Sequence, residues 1–298
     1  QIETSTPICH AASEAEASLA ACRATMSRAA SEHGVILAGT GLPPVGGDTV
    51  GTVTSRPRYR AIEAEMRDTA AHQYSTGLHV HVEVPSRDAG VDVLARLARW
   101  APALLALTAN SPLWCGAPTG FASWRHIKGL SWPVAGYPPP FSDGEDYAHS
   151  IDRFVASGML VDPGVVTWIA RLSENFPTLE LRIADAQLEV RDSIAFAVLV
   201  RSLVDRCLSD AFENPQPPRY APGLVNGAVW MAARDGLEAT IVDPLTTEAM
   251  PAFELIEMMV CSVERELERF GDIWLVERFI ERLRRDGGPA RRQLERFG

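Results

Sequence analysis

In the stretch Gly77-Leu78-His79-Val80-His81-Val82-Glu83-Val84, apolar and polar residues alternate. On a strand this period of two places His79, His81 and Glu83 on one face and Leu78, Val80, Val82 and Val84 on the other. The apolar face suits packing under helices. Two imidazoles and a carboxylate in a row are too polar for a core, and a solvated strand face more often carries Thr, Lys, Arg or Glu. A second stretch, Thr178-Leu179-Glu180-Leu181-Arg182-Ile183, repeats the pattern: Thr178, Glu180 and Arg182 oppose Leu179, Leu181 and Ile183. At the start of the sequence Gln1, Glu3 and Ser5 share a face opposite Ile2. If these three strands neighbour one another, Glu3, Glu83 and Glu180 converge with two histidines and Arg182 on one sheet face. Carboxylates hold Mg²⁺ through one or two contacts each while phosphate oxygens complete the octahedron, so the face suits metal–nucleotide chemistry. An HxH pair on a strand also fits a single Zn²⁺ in a hydrolase, although no companion single-metal motif occurs.

Composition narrows the choice. The 298 residues carry a formal net charge of -10 and are 46% apolar and 22% charged, the balance of a globular chain with a sizeable core. That charge argues against a nucleic-acid partner, which needs a basic face, and leaves room for one small polyanion. Lys128 is the sole lysine and no GxxxxGK[ST] occurs, so phosphate contacts fall to arginine, histidine, backbone amides or metal. The five cysteines, Cys9, Cys22, Cys115, Cys207 and Cys261, are scattered and form no CxxC pair, which points to a reducing, cytoplasmic setting. No apolar run approaches membrane-spanning length. The sequence opens without Met, in what reads as the middle of a strand, and a leader segment is expected before it.

The elements that must position these residues follow from periodicity and punctuation. Residues 2–6 read as a strand, 13–33 as a helix ended by Gly34 as a left-handed cap, and 35–42 as a short strand. Pro57 suits the first turn of a helix running to His72. Strand 76–85 is followed by a helix capped by Asp88 and carried through to Leu107. Residues 108–144 form a long Pro/Gly/Ser/Trp-rich loop, too aromatic for a floppy linker, with the character of a lid. Helix returns at 145–157, a strand at 178–184, and helices at 187–211, 225–234, 254–270 and 273–285. With no internal repeat or linker, the expectation is one α+β domain over 1–298, an antiparallel sheet backed by helices on one face. On helix 225–234 Asn226 and Trp230, with Arg234, form an i, i+4, i+8 stripe that fits either lining a substrate cavity or capping the sheet. Arg292, beyond the helix stop Gly287-Gly288, is a nucleotide-site candidate or part of a solvated tail.

The stretches GLHVHV (77–82), LLALTANSPLW (104–114), TGFASWR (119–125), FPTLELRIADAQ (176–187), NGAVWMAARDGL (226–237) and GGPARRQ (287–293) resemble, in order, the motifs of the carboxylate–amine ligases within the type 2 glutamate–cysteine ligases. The resemblance implies a glutamine-synthetase-like antiparallel sheet whose concave polar face holds ATP and Mg²⁺. It implies amide formation, γ-glutamyl in type, by attack of cysteine or another small amine on an acyl phosphate, with amino-acid substrates and a homodimer as the expected partners. By position, Glu3 and Glu180 match metal-binding glutamates and Arg182 a phosphate-facing arginine. His79 and His81 match a pair beside the phosphates, and Arg125 matches an arginine assigned to a substrate carboxylate. The departures are specific. The family's opening glutamate-rich strand is missing, Glu83 stands where glycine is usual, Trp124 replaces tyrosine, and Leu172 replaces the proline after Arg171. The expectation is therefore an altered substrate loop, and a ligase-like subunit without turnover is the alternative to an active ligase.

Overall fold

The computed structural model describes residues 2–297. In chain order the elements begin with α1 (Ala12–Glu32), α2 (Pro57–Met66), α3 (Asp68–Ala71), β1 (Gly77–Glu83), α4 (Arg87–Leu97), α5 (Ala101–Thr108), β2 (Leu113–Trp114) and β3 (Ala117–Pro118). They continue with α6 (Trp124–Gly129), α7 (Gly144–Ala156), β4 (Ala170–Leu172), β5 (Thr178–Asp185), α8 (Val190–Glu213) and α9 (Pro222–Asp235). The chain ends with β6 (Thr240–Val242), β7 (Ala249–Pro251), α10 (Ala252–Ser262), α11 (Glu264–Phe270), α12 (Ile273–Asp286) and α13 (Pro289–Phe297). Among the described residues no helix is long and apolar enough to cross a membrane.

The α+β expectation holds. β1, β5 and β4 form a three-stranded antiparallel sheet in the order β1-β5-β4, and two further antiparallel hairpins, β2-β3 and β6-β7, stand apart from it. Leu179, Leu181 and Ile183 of β5 and Val80 of β1 are buried on one face of the sheet. They pack against α4, α5 and α8, which supply Val93, Leu94, Leu104, Leu105, Leu107, Phe196, Leu199 and Leu203 to one continuous core. Burying such side chains contributes about 1.5–3 kcal/mol each, which is what holds the sheet's polar face outward. In α12 the buried residues Val276, Phe279, Ile280 and Leu283 fall at i, i+3, i+4 and i+7, one stripe of an amphipathic helix.

Several boundaries differ from the sequence reading, each for a local reason. Residues 2–9 form no strand; Thr4 Oγ1 meets Cys22 Sγ at 3.2 Å, so this segment lies along α1 rather than on the sheet. Residues 35–42 form no ladder either. Gly41 N donates to Asn110 O at 3.0 Å and Gly41 O accepts from Thr76 N at 2.9 Å, bonds to loop termini rather than to a strand. The helix after Pro57 breaks at Arg67, whose φ of 50° is outside the right-handed region. The long helix after β1 is interrupted by a 3₁₀ turn at Ala98–Trp100, just before Pro102, which can occupy a first helical turn and not an interior. Its N-cap is Ser86, whose Oγ accepts from Ala89 N at 3.1 Å; Asp88 instead accepts from Gly144 N at 2.8 Å and so fixes the start of α7. Gly34 does cap α1, with φ 68° and Val35 N donating back to Ala30 O at 3.0 Å.

Residues 108–144 contain β2, β3 and α6 and are tied down. Trp124 N donates to Ser111 O at 3.0 Å, while Ala122 N and Ser123 N donate to Arg234 O and Ala233 O at 3.0 and 2.8 Å. The tail expected after Gly288 is α13, docked by Gln293 Nε2 on Asn110 O at 3.0 Å.

Candidate active site

The polar face of the sheet is organised around Glu180. Glu180 is paired across the ladder with His81 on β1 and with Arg171 on β4, so all three stand at one level of the sheet. Its Oε2 accepts from Arg171 Nε at 2.7 Å and its Oε1 accepts from Arg182 Nη1. His79 Nδ1 lies 3.5 Å and His81 Nε2 3.7 Å from the same Oε1. A bulge makes this possible. Between Leu78 and Val80 the partner on β5 steps from Ala184 to Leu181, so the single residue His79 faces the extra residue of β5 at Arg182–Ile183. Such an insertion tightens the local twist and re-aims side chains, here turning Arg182 and His79 toward Glu180.

Glu180 is 4% exposed, so it is a buried carboxylate between two guanidiniums rather than a solvated one. Burial would raise its pKa, but Arg182 and Arg171 outweigh that and hold it down at about 2. His79 is pushed down to about 3 by burial, and by the positive fields of Arg182 and Arg125 against the pull of Glu180. His81 is lowered for the same first reason, burial, and its Nδ1 lies 3.0 Å from Thr178 Oγ1. Both imidazoles are therefore neutral at physiological pH. Arg171 is held at its other end by Val166 O at 2.7 Å and Gly164 O at 3.3 Å, which fixes its plane. Arg182 is itself lowered by burial and by Arg171 beside it.

Arg125 joins this face from α6. Its Nη2 donates to Arg182 O at 3.1 Å and its Nη1 lies 3.5 Å from Asp185 Oδ1, while Nε is buried with no protein partner. The guanidinium lies over β1 where residue 77 has no side chain; a Cβ there would sit 2.4 Å from Arg125 Nη2, so any other residue at 77 would push the guanidinium aside. Three guanidiniums thus surround one carboxylate and two neutral histidines. The face is locally cationic in a chain of net charge -10, and it suits an anion.

The remaining predicted residues fall elsewhere. Glu3 is exposed and off the sheet, because residues 2–9 run along α1, and Gln1 of the same expected face lies outside the described residues. Glu83 is exposed at the end of β1, opposite Thr178. The expected meeting of Glu3, Glu83 and Glu180 therefore does not form. Among the described residues no three His, Cys, Asp or Glu side chains are grouped to hold a metal ion. Glu180 has both oxygens taken by arginine, and a cation placed there would face Arg171 and Arg182. The donor set fits neither a protein-held Mg²⁺ nor the Zn²⁺ of an HxH hydrolase. Asn226 is a loop clamp: its Oδ1 accepts from Tyr137 N at 2.7 Å and fills the space where a side chain on Gly136 would be. Arg234 is paired with Asp235 and stacked on Trp230 at 5.3 Å, and Arg292 is paired with Glu189 at 3.1 Å; neither joins the Glu180 group. Arg171, noted in the sequence only for the altered residue after it, joins the site from β4, a strand of three residues that is too short to show alternation.

The family follows from the whole chain. A sequence model described as glutamate–cysteine ligase family 2 (GCS2) matches residues 1–298. The chain belongs to this family. A protein of Saccharopolyspora erythraea, provisionally named glutamate–cysteine ligase 2-1, is 38% identical over 298 residues, 100% of this chain and 79% of its own length. A Salinispora tropica protein provisionally named glutamate–cysteine ligase 2 is 37% identical over 300 residues, covering 100% of this chain and 79% of itself. A Rhodopirellula baltica protein of the same provisional name is 33% identical over 293 residues, 98% of this chain and 79% of its own. A solved structure of the Pup ligase PafA of the prokaryotic ubiquitin-like modification pathway, in complex with ADP, is similar over 99% of this chain and 61% of its own, with 11% identity and a TM-score of 0.49. The expected ligase class, carboxylate–amine, stands with the family.

Proposed function

We propose that the protein uses ATP to join the carboxylate of glutamate to cysteine or another small amine, through an acyl phosphate. The observation that carries this reading is the cationic sheet face around Glu180 in a chain of glutamate–cysteine ligase family 2. In the first step a carboxylate oxygen forms a bond to the γ-phosphorus of ATP while the bond from that phosphorus to the β-bridging oxygen breaks, and ADP leaves. In the second the amine attacks the acyl carbon, inorganic phosphate departs and the amine loses a proton. Arg182 and Arg171 are suited to the phosphoryl oxygens, where negative charge is spread over several atoms and planar fork donors match it. Their fixed partners keep them oriented before the substrate arrives, so little reorganisation is needed during the reaction. His79 and His81, neutral, offer N–H donors without adding charge. Arg125 is suited to the carboxylate of the amino-acid substrate, with its buried Nε as a free donor.

A second reading is favoured by one observation: Glu180, the carboxylate at the centre of the described face, is engaged by arginine at both oxygens. On that reading the chain binds nucleotide or a partner without turnover. Phosphate release from ATP separates the two. With glutamate and cysteine present, release should depend on glutamate and fall at least ~100-fold in Arg182→Ala, the scale for loss of one preorganised charge-stabilising donor. Equal release with every acid, or ATP binding with no release at all, would remove the ligase reading.

A further inference from the structure

Asp185 is fully buried at the end of β5 and takes no part in the chemistry above. Its Oδ2 accepts from Asn110 N at 2.7 Å and Ser111 Oγ at 2.7 Å; its Oδ1 accepts from Ser123 Oγ at 3.1 Å and lies 3.5 Å from Arg125 Nη1. Ser111 Oγ also accepts from the backbone N of Arg125 at 3.0 Å, so Asp185 reaches Arg125 twice, at its guanidinium and through Ser111 at its main chain. The donors come from two separate stretches, 110–111 and 123–125, converging on the end of β5. Gly41 closes a further side, where a Cβ would stand 2.6 Å from Asp185 Cγ. A buried carboxylate is costly unless its oxygens are filled by donors, and burial indeed raises the Asp185 pKa against the pull of Arg125 and these hydrogen bonds. A merely structural hub would be satisfied by the three neutral donors. Placing the carboxylate against the one guanidinium of the face that enters from α6 adds a constraint on that guanidinium alone.

We propose that Asp185 is a positioning residue for Arg125: it sets the guanidinium against β5 and thereby sets the affinity for the acid substrate. This rests on the reading of Arg125 as the substrate-carboxylate contact. The charge of Asp185 offsets one arginine, so that Arg125 is held on Asp185 and β5 while Arg171 and Arg182 are held on Glu180. Two variants test it, Asp185→Asn, which keeps the shape and removes the charge, and Ser111→Ala, which cuts only the bridge to the Arg125 backbone.

The measurement is the KM for L-glutamate and separately for ATP, by phosphate release, in each variant alone and combined with Arg125→Ala. Asp185→Asn is expected to raise the glutamate KM on the order of tenfold with the ATP KM within twofold, and Ser111→Ala to raise it a few-fold in the same direction, the size of one lost hydrogen bond in a coupled group. In the Arg125→Ala background both substitutions should add less than about twofold, because residues acting through a common partner are not additive. Undiminished effects in that background, or equal effects on both KM values, overturn the positioning role. If Arg125→Ala itself leaves the glutamate KM unchanged, the failure lies with the reading of Arg125. Should Asp185→Asn not fold, Ser111→Ala alone decides by the same comparison.

Discussion

Arg171 shows how one side chain can be both anchor and contact. Its Nε holds Glu180 Oε2 at 2.7 Å while Nη1 holds Val166 O at 2.7 Å and Gly164 O at 3.3 Å, three bonds from one rigid plane. A lysine keeps the charge but offers a point donor on a flexible stem, so it cannot reproduce that fork. Arg171→Lys should therefore keep the fold by circular dichroism and lower the rate of phosphate release by roughly 10- to 100-fold, as loss of an oriented charge does. Unchanged turnover would show that Arg171 only braces the 164–166 turn. At this scale the sequence was readable where strands alternate: Glu180, Arg182, His79 and His81 were found because a period of two puts them on one face. Glu3 was misplaced by the same rule, since five residues of weak alternation look alike whether they join a sheet or lie along a helix. Asn226 was open between two roles, and only the contact with Tyr137 N, 89 residues away in sequence, decides it.

At the scale of elements, what brings the site together is interruption of regular structure. The bulge in β5 turns His79 toward Arg182 and Glu180, and β4, too short to be recognised alone, supplies Arg171. The stretch 108–144, expected as a lid, is instead held by bonds from Ser111, Ala122, Ser123 and Trp124 that fix Arg125 in place. Neither feature is visible without the partner strand or loop, which is why the core helices were legible and these connections were not. The break between α2 and α3 offers a test of local strain. Arg67 has φ 50° and ψ −125°, a region glycine enters freely and a residue with a Cβ does not. Arg67→Gly should raise stability by about 1 kcal/mol in urea unfolding, the usual relief at such a position. A loss of stability instead would mean that the Arg67 side chain contributes more than its backbone costs.

For the whole molecule, burial of ionisable groups makes stability depend on pH in a direction that can be worked out. His79 falls to about 3 and His126 to about 4, both from 6.5 and both first through burial, so the unfolded chain binds more protons than the folded one below 6.5. The stability they contribute is present above pH 6.5 and is lost as pH falls from there toward 4 and then 3. Glu180, held at about 2 against an ordinary 4.5, adds a second loss beginning lower, as pH falls from 4.5 toward 2. Asp185 opposes them: its pKa is raised by burial, so ionisation costs the folded state at neutral pH and that cost lifts on acidification. With His79, His126, His81 and Glu180 on one side and Asp185 and Asp192, both raised by burial, on the other, the balance favours acid destabilisation between pH 6.5 and 3. The urea midpoint should therefore drop steadily across that window. His126 is buried beside Arg125 and stands outside the Glu180 group, so His126→Phe removes one titration without touching the phosphoryl contacts. That variant should flatten the decline between pH 6.5 and 4 and leave the part below pH 4 as it was. His79→Gln should flatten it further down, to pH 3. A midpoint that stays level from pH 7 to 4, or an unchanged slope in His126→Phe, would mean that the buried imidazoles gain protons without unfolding the chain.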